Sequence, residues 1–290
     1  TTEIYTLSLH DALPIWPTLA AVKAGKRVAL ANKESLVMAG DLVNREAAQS
    51  GAEIIPVDSE HSAVFSCLYS REPRDVARLL LTASGGPFRN LPRERFGDIT
   101  PAQALNHPTW NMGAKITVDS ATLFNKALEI IEAHFLFGLG YDSIGAVIHP
   151  QSIVHAMVEF ADGSVLAQLS NPDMRLPIQL ALTWPQRLAS PTKGLDLTAT
   201  PALQFLPVDD ERFPSIRLGI EAGRRGGSSP AVLNAANEVA VMRFLRGEVR
   251  FTDIFDIVSK TLEREAHFVP GDLEEIMAVD EWARRVASEL

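Results

Sequence analysis

Between Thr117 and Phe135 the sequence reads TVDSATLFNKALEIIEAHF, which puts a hydroxyl (Ser120), an amide (Asn125), an ammonium (Lys126) and a carboxylate (Glu129) close together. A helix beginning near Asp119 or Ser120 presents unpaired backbone N–H groups and a positive dipole end, an arrangement suited to an anion. Ser120 adds a hydroxyl donor there, and Asn125, Lys126 and Glu129 share one face of the helix. Leu123, Phe124, Ala127, Leu128, Ile130 and Ile131 supply the packing surface. The same spacing also suits an ordinary amphipathic helix with a Lys–Glu pair three residues apart, worth a few tenths of a kcal/mol. Glu132 is either a neighbour of a ligand or simply exposed.

Asp58 and Glu60 flank Ser59 after a short apolar run. In an extended chain both carboxylates project to one side and repel unless a positive group lies between them, a place suited to a hard divalent cation. A solvated strand end is the plain alternative. Ser84 precedes Gly85 and Gly86, where small residues let backbone approach a ligand, although glycine pairs also make ordinary turns. His107 lies in NHPTWNMGAK with Trp110, Met112 and Gly113, a loop that could close over a pocket. Lys33, at the tip of a parallel strand, is a ligand group or a solvated lysine. His149 and His155 fall in strand-like text and are expected in the core or on a hairpin. The chain has no G-x-G-x-x-G and no G-x-x-x-x-G-K-[ST], so no self-contained nucleotide cradle is legible. Cys67 has no neighbouring histidine, no serine-hydrolase elbow is present, and one cysteine cannot make a C-x-x-C zinc site.

The elements that must position these residues alternate. PTLAAVKAG and ESLVMAGDLVNREAAQSG read as helices ending near Gly25 and Gly51, with KRVALA and AEIIPV as strands between and after them. This pattern predicts a parallel sheet whose carboxyl-end runs, Asn32 to Ser35 and Asp58 to His61, face a ligand. LLLTASGGPFR is a strand and glycine turn, and AMVEFA and SVLAQLS form a hairpin about Asp162-Gly163. Trp184 to Pro214, rich in Pro and Thr, reads as a linker. Three helices follow, one with Ser229 as N-cap and Pro230 at its first position.

With 46% hydrophobic residues in 290, the chain is long enough to bury a sizeable core in two domains or one enlarged domain. A net charge of -9, with no long run among 27 basic residues, argues against nucleic acid but allows one positive pocket for a small anion. No apolar run approaches the roughly 20 residues of a membrane span. The single cysteine points to a reducing cytoplasm, and the protein is expected to be soluble. TLSLHDALPI resembles one reading frame of a sequencing adapter, so Thr1 to Ile15 is expected to be non-native, with the natural protein entering near Trp16.

LANKESLV, PVDSEH, LTASGGPFR, HPTWNMGAKITVDSATLFNKALEIIEA, IHPQSIVH, PDMR and LNAANEVAV, in that order from about Trp16 onward, resemble the 1-deoxy-D-xylulose 5-phosphate reductoisomerases. The resemblance implies an α/β protein: a remnant of a parallel Rossmann-like, NADPH-binding sheet (16–57), an α+β catalytic domain (58–184), a linker (185–214) and a C-terminal helical domain (215–290). It implies NADPH-dependent rearrangement and reduction of a phosphorylated small-molecule substrate to 2-C-methyl-D-erythritol 4-phosphate, in isoprenoid precursor synthesis.

By the same resemblance Asp58, Glu60 and Glu129 hold Mg²⁺ or Mn²⁺, while Ser84, Ser120, Asn125 and Lys126 hold the phosphate. Lys33, Ser59 and His107 contact the reacting part of the substrate, and Trp110 and Met112 belong to a closing loop. Asn32, Glu34, Gly113 and Met174, with Lys33 beside them, lie near the nicotinamide. The hairpin at Asp162-Gly163 falls where the family forms homodimers. Because the glycine-rich dinucleotide turn is absent from this sequence, this polypeptide is expected to support little or no reductase activity. A non-redox metal-dependent sugar-phosphate isomerase or lyase, and a noncatalytic dimerising fragment, are the competing expectations.

Overall fold

A computed structural model describes residues 15–69, 71, 73–110 and 112–290, and the fold is mixed α/β. The adapter-like stretch lies outside the described residues except for Ile15, which opens helix α1 (Ile15–Lys23) and is buried. Strand β1 (Arg27–Leu30), helix α2 (Lys33–Ser50) and strand β2 (Glu53–Pro56) follow. β1 and β2 pair in parallel, Arg27 opposite Glu53 through Leu30 opposite Pro56, as a right-handed crossover through a helix favours. Asn32 caps α2 by accepting from the Ser35 N–H, and Gly51 ends the helix in the left-handed conformation at φ +73°.

Helix α3 (Ser59–Leu68) begins at once after Asp58, so the Asp58–Glu60 pair sits on a helix start and not on an extended strand. Strand β3 (Val76–Ala83), helix α4 (Pro101–Ala104) and helices α5 (Ala114–Thr122) and α6 (Phe124–Phe137) come next, then strands β4 (Ile144–Ile148), β5 (Val154–Phe160) and β6 (Val165–Leu169). A second sheet has the order β4-β3-β5-β6, with β3 and β4 parallel and the other pairs antiparallel. The β5–β6 turn contains Gly163 at φ +82°. Helix α7 (Arg175–Thr183) was not legible in the sequence; after it, residues 184–214 carry no helix or strand except a bridge from Leu206 to Ile148.

Helices α8 (Ser215–Arg225), α9 (Ser229–Leu245), α10 (Asp253–Glu263) and α11 (Leu273–Glu289) complete the chain. Ser228, one residue before the expected Ser229, is the N-cap position of α9. Most of the core is one buried cluster, to which Leu36 and Val43 of α2, Leu81 of β3, Leu128 and Ile131 of α6, Val232 of α9 and Val258 of α10 belong, and Ile55, Val57 and Ala181 form a small separate one. α2 crosses α6 very closely, since a Cβ on Gly40 would lie 2.3 Å from the Phe135 ring. That crossing brings the start of α2, with Lys33, over the start of α6. No helix of the described residues is long and apolar enough to cross a membrane.

Candidate functional site

The expected single helix at the centre of the site is two. Leu123 breaks it with φ +62°, closing α5 and starting α6 from the same residue. Ser120 therefore sits in the last turn of α5, not at a helix N-terminus. The first turn of α6 carries Asn125 and Lys126, and its N-cap residue Leu123 makes no side-chain cap bond. Glu129 follows one turn later.

Asp58, Glu60 and Glu129 each place a carboxylate oxygen within 4.8 Å of the others. Two ammoniums are threaded through them. Lys33, 5% exposed, pairs with Asp58, with Glu129 Oε1 at 3.3 Å and with Asn125 Oδ1 at 2.8 Å. Lys126, 2% exposed, pairs with Glu129 and with Glu60 Oε1 at 2.9 Å. Asn125 also donates to Glu129, and Ser59 donates to Glu60 Oε2 at 2.5 Å. Neither lysine is a solvated side chain. Three carboxylates against two ammoniums leave the cluster short of positive charge, and oxygen donors at this spacing suit a hard divalent cation.

The charges respond to this crowding. Burial raises the Glu129 carboxyl, and Glu60 beside it adds to the rise, to about 7, despite the two lysines. Burial also acts to raise Asp58, but the Lys33 ammonium bonded to it outweighs that and holds the group well below the usual carboxylate range. Glu60 is lowered likewise, Lys126 prevailing over burial and over Asp58. Both lysines are raised, because their carboxylate partners overcome the burial that would lower them.

A second group, Asp58, His61 and Glu132, has the same close spacing. His61 and Glu132 are fully buried and sit 3.2 Å apart, so Glu132 is not exposed. His61 Nε2 lies 2.8 Å from the Glu129 carbonyl oxygen and must carry a hydrogen. Burial keeps the imidazole neutral and pushes the Glu132 carboxyl well above its usual range, so this deeper group offers poor ligands for a hard cation. It instead fastens α3 to α6. The sequence placed both residues near a ligand but did not show their pairing or burial, which depend on how the two helices cross.

Of the four residues expected at the phosphate, Ser84 and Ser120 come together at the end of α5, whereas the Asn125 and Lys126 side chains bond into the carboxylate cluster. A Cβ on Gly86 (φ +62°) would lie 2.9 Å from the Ser120 carbonyl oxygen, so glycine alone allows the Ser84–Gly86 turn to rest on the end of α5. His107 Nε2 bridges the two serines, 3.1 Å from Ser84 Oγ and 3.0 Å from Ser120 Oγ. The ring thus contacts the expected phosphate serines and not the carboxylate cluster. Trp110 donates its backbone N–H to His107, and Gly113 is the N-cap of α5.

Asn32 and Glu34 stand at the carboxyl end of β1, joined by a 2.8 Å hydrogen bond, with Lys115 3.6 Å from Glu34. Met174 packs against Ile55 and Val57 at the end of β2. His149 is buried and accepts the Ile153 and Val154 N–H groups, and His155 is buried beside Ser170.

Comparison with known proteins agrees on one family. Models described as 1-deoxy-D-xylulose 5-phosphate reductoisomerase, its C-terminal domain, and DXP reductoisomerase C-terminal domain match residues 3–40, 54–137 and 169–286. The chain is 54% identical to the reductoisomerase of Prosthecochloris aestuarii over 288 residues, covering 99% of this chain and 75% of that protein. It is 56% identical to that of Heliobacterium modesticaldum, over 97% and 72%. Among solved structures, the Zymomonas mobilis enzyme in complex with NADPH superposes with a TM-score of 0.90 at 45% identity, covering 95% of this chain and 71% of that one. A reductoisomerase in complex with NADPH, fosmidomycin and magnesium gives 0.87 at 42% identity, over 94% and 71%.

Proposed function

The chain belongs to the 1-deoxy-D-xylulose 5-phosphate reductoisomerase family, and from that premise we propose how its residues carry out the NADPH-dependent conversion of 1-deoxy-D-xylulose 5-phosphate to 2-C-methyl-D-erythritol 4-phosphate. The observation that supports the assignment best is the start of α6, where Asn125 and Lys126 bond into the Asp58–Glu60–Glu129 cluster one turn before Glu129 and only a few residues after Ser120 in the last turn of α5.

Asp58, Glu60 and Glu129 hold a Mg²⁺ or Mn²⁺ ion, which supplies Lewis-acid polarisation of substrate oxygens when bound, as NADPH supplies hydride. Ser84, Ser120, Asn125 and Lys126 bind the phosphate, and we add His107 to this group on account of its contacts with both serines. Phosphate gripped away from the reacting carbons orients them, an effect that supplies roughly 7 kcal/mol or more in favourable cases. Lys33 and Ser59 face the reacting atoms, where the Lys33 ammonium stabilises negative charge on an oxygen. Asn32, Glu34, Gly113 and Met174 fit the nicotinamide end of NADPH because β1 and β2 end beside them, and ligands of parallel sheets meet those ends. The β1–β2 pair with α1 and α2 is then part of the Rossmann-like unit, and Trp110 and Met112 belong to a loop that closes over the substrate.

Loss of NADPH absorbance that requires both the ketose phosphate and a divalent cation is the expected assay result. Turnover of the ketose with no NADPH consumed would favour a non-redox isomerase instead. A second measurement follows from Glu129, whose pKa of about 7 means that cation binding must displace a proton at lower pH. Apparent Mn²⁺ affinity should rise about tenfold per pH unit up to pH 7 and level off above it. Titration calorimetry showing constant affinity across this range would remove Glu129 from the ligand set.

For the homodimer, the proposed contact is the outer edge of β6, where Val165 is 52% exposed and Leu166 37%. Val165→Lys should weaken self-association about tenfold or more, as read by sedimentation, because burying an unpaired charge at an interface is costly. Unchanged association would place the contact elsewhere.

A further inference from the structure

The deeper group of Asp58, His61 and Glu132 contains polar atoms that its own contacts leave unused. His61 and Glu132 are fully buried, yet among the described residues no hydrogen bond reaches His61 Nδ1 or either carboxyl oxygen of Glu132. Buried polar atoms in a native protein are almost always partnered, so three bare ones in one place point to a ligand. The histidine ring is set as a metal-bound imidazole is set. Its Nε2–H donates to the Glu129 carbonyl oxygen at 2.8 Å, which fixes the tautomer and leaves the lone pair on Nδ1. Phe137 stacks on the ring face, with centroids 6.3 Å apart and planes 9° from parallel.

The spacing fits as well. Nδ1 faces Glu132 Oε2 at 3.2 Å without the alignment of a hydrogen bond. Two ligand atoms about 2 Å from zinc at the tetrahedral angle lie about 3.3 Å apart, which is the separation this pair already has. Asp58 supplies a third ligand, since all three residues offer an atom within 4.8 Å of one another. We infer that Asp58, His61 and Glu132 form a second cation site, deeper than the Asp58–Glu60–Glu129 group and selective for Zn²⁺. One imidazole nitrogen with two carboxylates suits zinc, with water as the fourth ligand, and an imidazole favours zinc over Mg²⁺ or Mn²⁺. Mg²⁺ needs six oxygen ligands and keeps several waters, which a fully buried pair does not accommodate. As zinc enters, the Glu132 carboxyl releases its hydrogen to solvent, and the cation becomes its positive partner. Asp58 belongs to both groups, but Glu60 and Glu129 play no part in the deeper one.

Zinc titration of the full chain against a chromophoric chelator, in excess Mg²⁺, tests the site. One equivalent of Zn²⁺ should bind with Mg²⁺ present. In His61→Gln the side-chain amide keeps a donor for the Glu129 carbonyl but offers no ring nitrogen. Zinc affinity should fall there by at least about 100-fold, because losing the groups behind a ligand alone costs 10- to 100-fold. Glu60→Gln removes a ligand of the outer group only and should leave zinc affinity within a few fold of the parent. Absorption at the zinc edge of the parent chain gives a reading that needs no variant to fold: imidazole scattering in a four-coordinate shell is expected. A shell of oxygens without imidazole, zinc bound equally well by His61→Gln, or zinc lost in Glu60→Gln would overturn the deeper site. A parent that binds Mn²⁺ but no zinc in excess Mg²⁺ would overturn it too, while leaving the outer cation group as proposed.

Discussion

Glu129→Gln should cost the protein at least about 100-fold in divalent-cation affinity and abolish turnover, while leaving the cation-free melting temperature unchanged or slightly raised. The two halves of this prediction have separate causes. Glu129 is fully buried, and its carboxyl is raised because burial and Glu60 disfavour its charge. Removing that charge takes away a ligand but relieves a repulsion. Gln keeps one oxygen, enough for the donors on one side only, since Asn125 and Lys126 bond different oxygens of Glu129, and this loss of one acceptor offsets part of the relieved repulsion. Replacing a poorly compensated buried charge by a neutral isostere is often neutral or stabilising. Calorimetric titration with Mn²⁺ and a thermal melt read the two effects independently. Near-normal Mn²⁺ affinity would contradict the ligand assignment, and a large drop in melting temperature would contradict the charge argument.

Lys126→Met should do the reverse to stability. Its ammonium lies between Glu60 and Glu129 with a side chain 3% exposed, so its loss leaves two carboxylates facing each other in a buried place. Breaking such a pair costs on the order of 3 kcal/mol. A divalent cation bound to the same carboxylates replaces the missing positive charge, so saturating Mg²⁺ should recover most of that loss. Turnover should not recover, because the phosphate partner is gone; a fall in kcat/KM on the order of 100-fold is expected from lost positioning alone. Chemical denaturation with and without Mg²⁺, alongside kinetics, separates the two roles. Equal destabilisation with and without Mg²⁺ would show that the cation does not sit beside Lys126.

Much of the framework follows from local rules that a sequence displays. Gly51 ends α2 because a left-handed residue is needed there, Asp272 caps α11 by accepting from the Glu275 N–H, and Asp162-Gly163 turns the hairpin. The residue types of the candidate site were legible too, since a hydroxyl, an amide, an ammonium and carboxylates at short spacing suggest an anion and a cation side by side. Their geometry was not.

Leu123 at φ +62° has no local signal, because a branched side chain rarely adopts that conformation; packing imposes it, with Leu123 only 3% exposed. One helix in the text is thus two in space, and Ser120 reaches the pocket from a helix end instead of a beginning. Asp58 and Glu60 likewise converge because α3 begins at Ser59, whereas an alternating strand was the simpler reading. Lys33, His61 and Glu132 look like surface residues until α2, α3 and α6 pack together, and no periodicity within one element reveals contacts between three.

The claim on which the account rests is that a cation pocket and a phosphate pocket share the first turns of α6. Crystals of this chain grown with Mn²⁺ and inorganic phosphate would locate both ions, manganese by its anomalous signal. The account predicts one manganese peak coordinated by Asp58, Glu60 and Glu129, and phosphate on Ser84, Ser120, Asn125 and Lys126. Manganese bound between His61 and Glu132 with Glu129 uncoordinated, or phosphate bound away from the two serines, would contradict it.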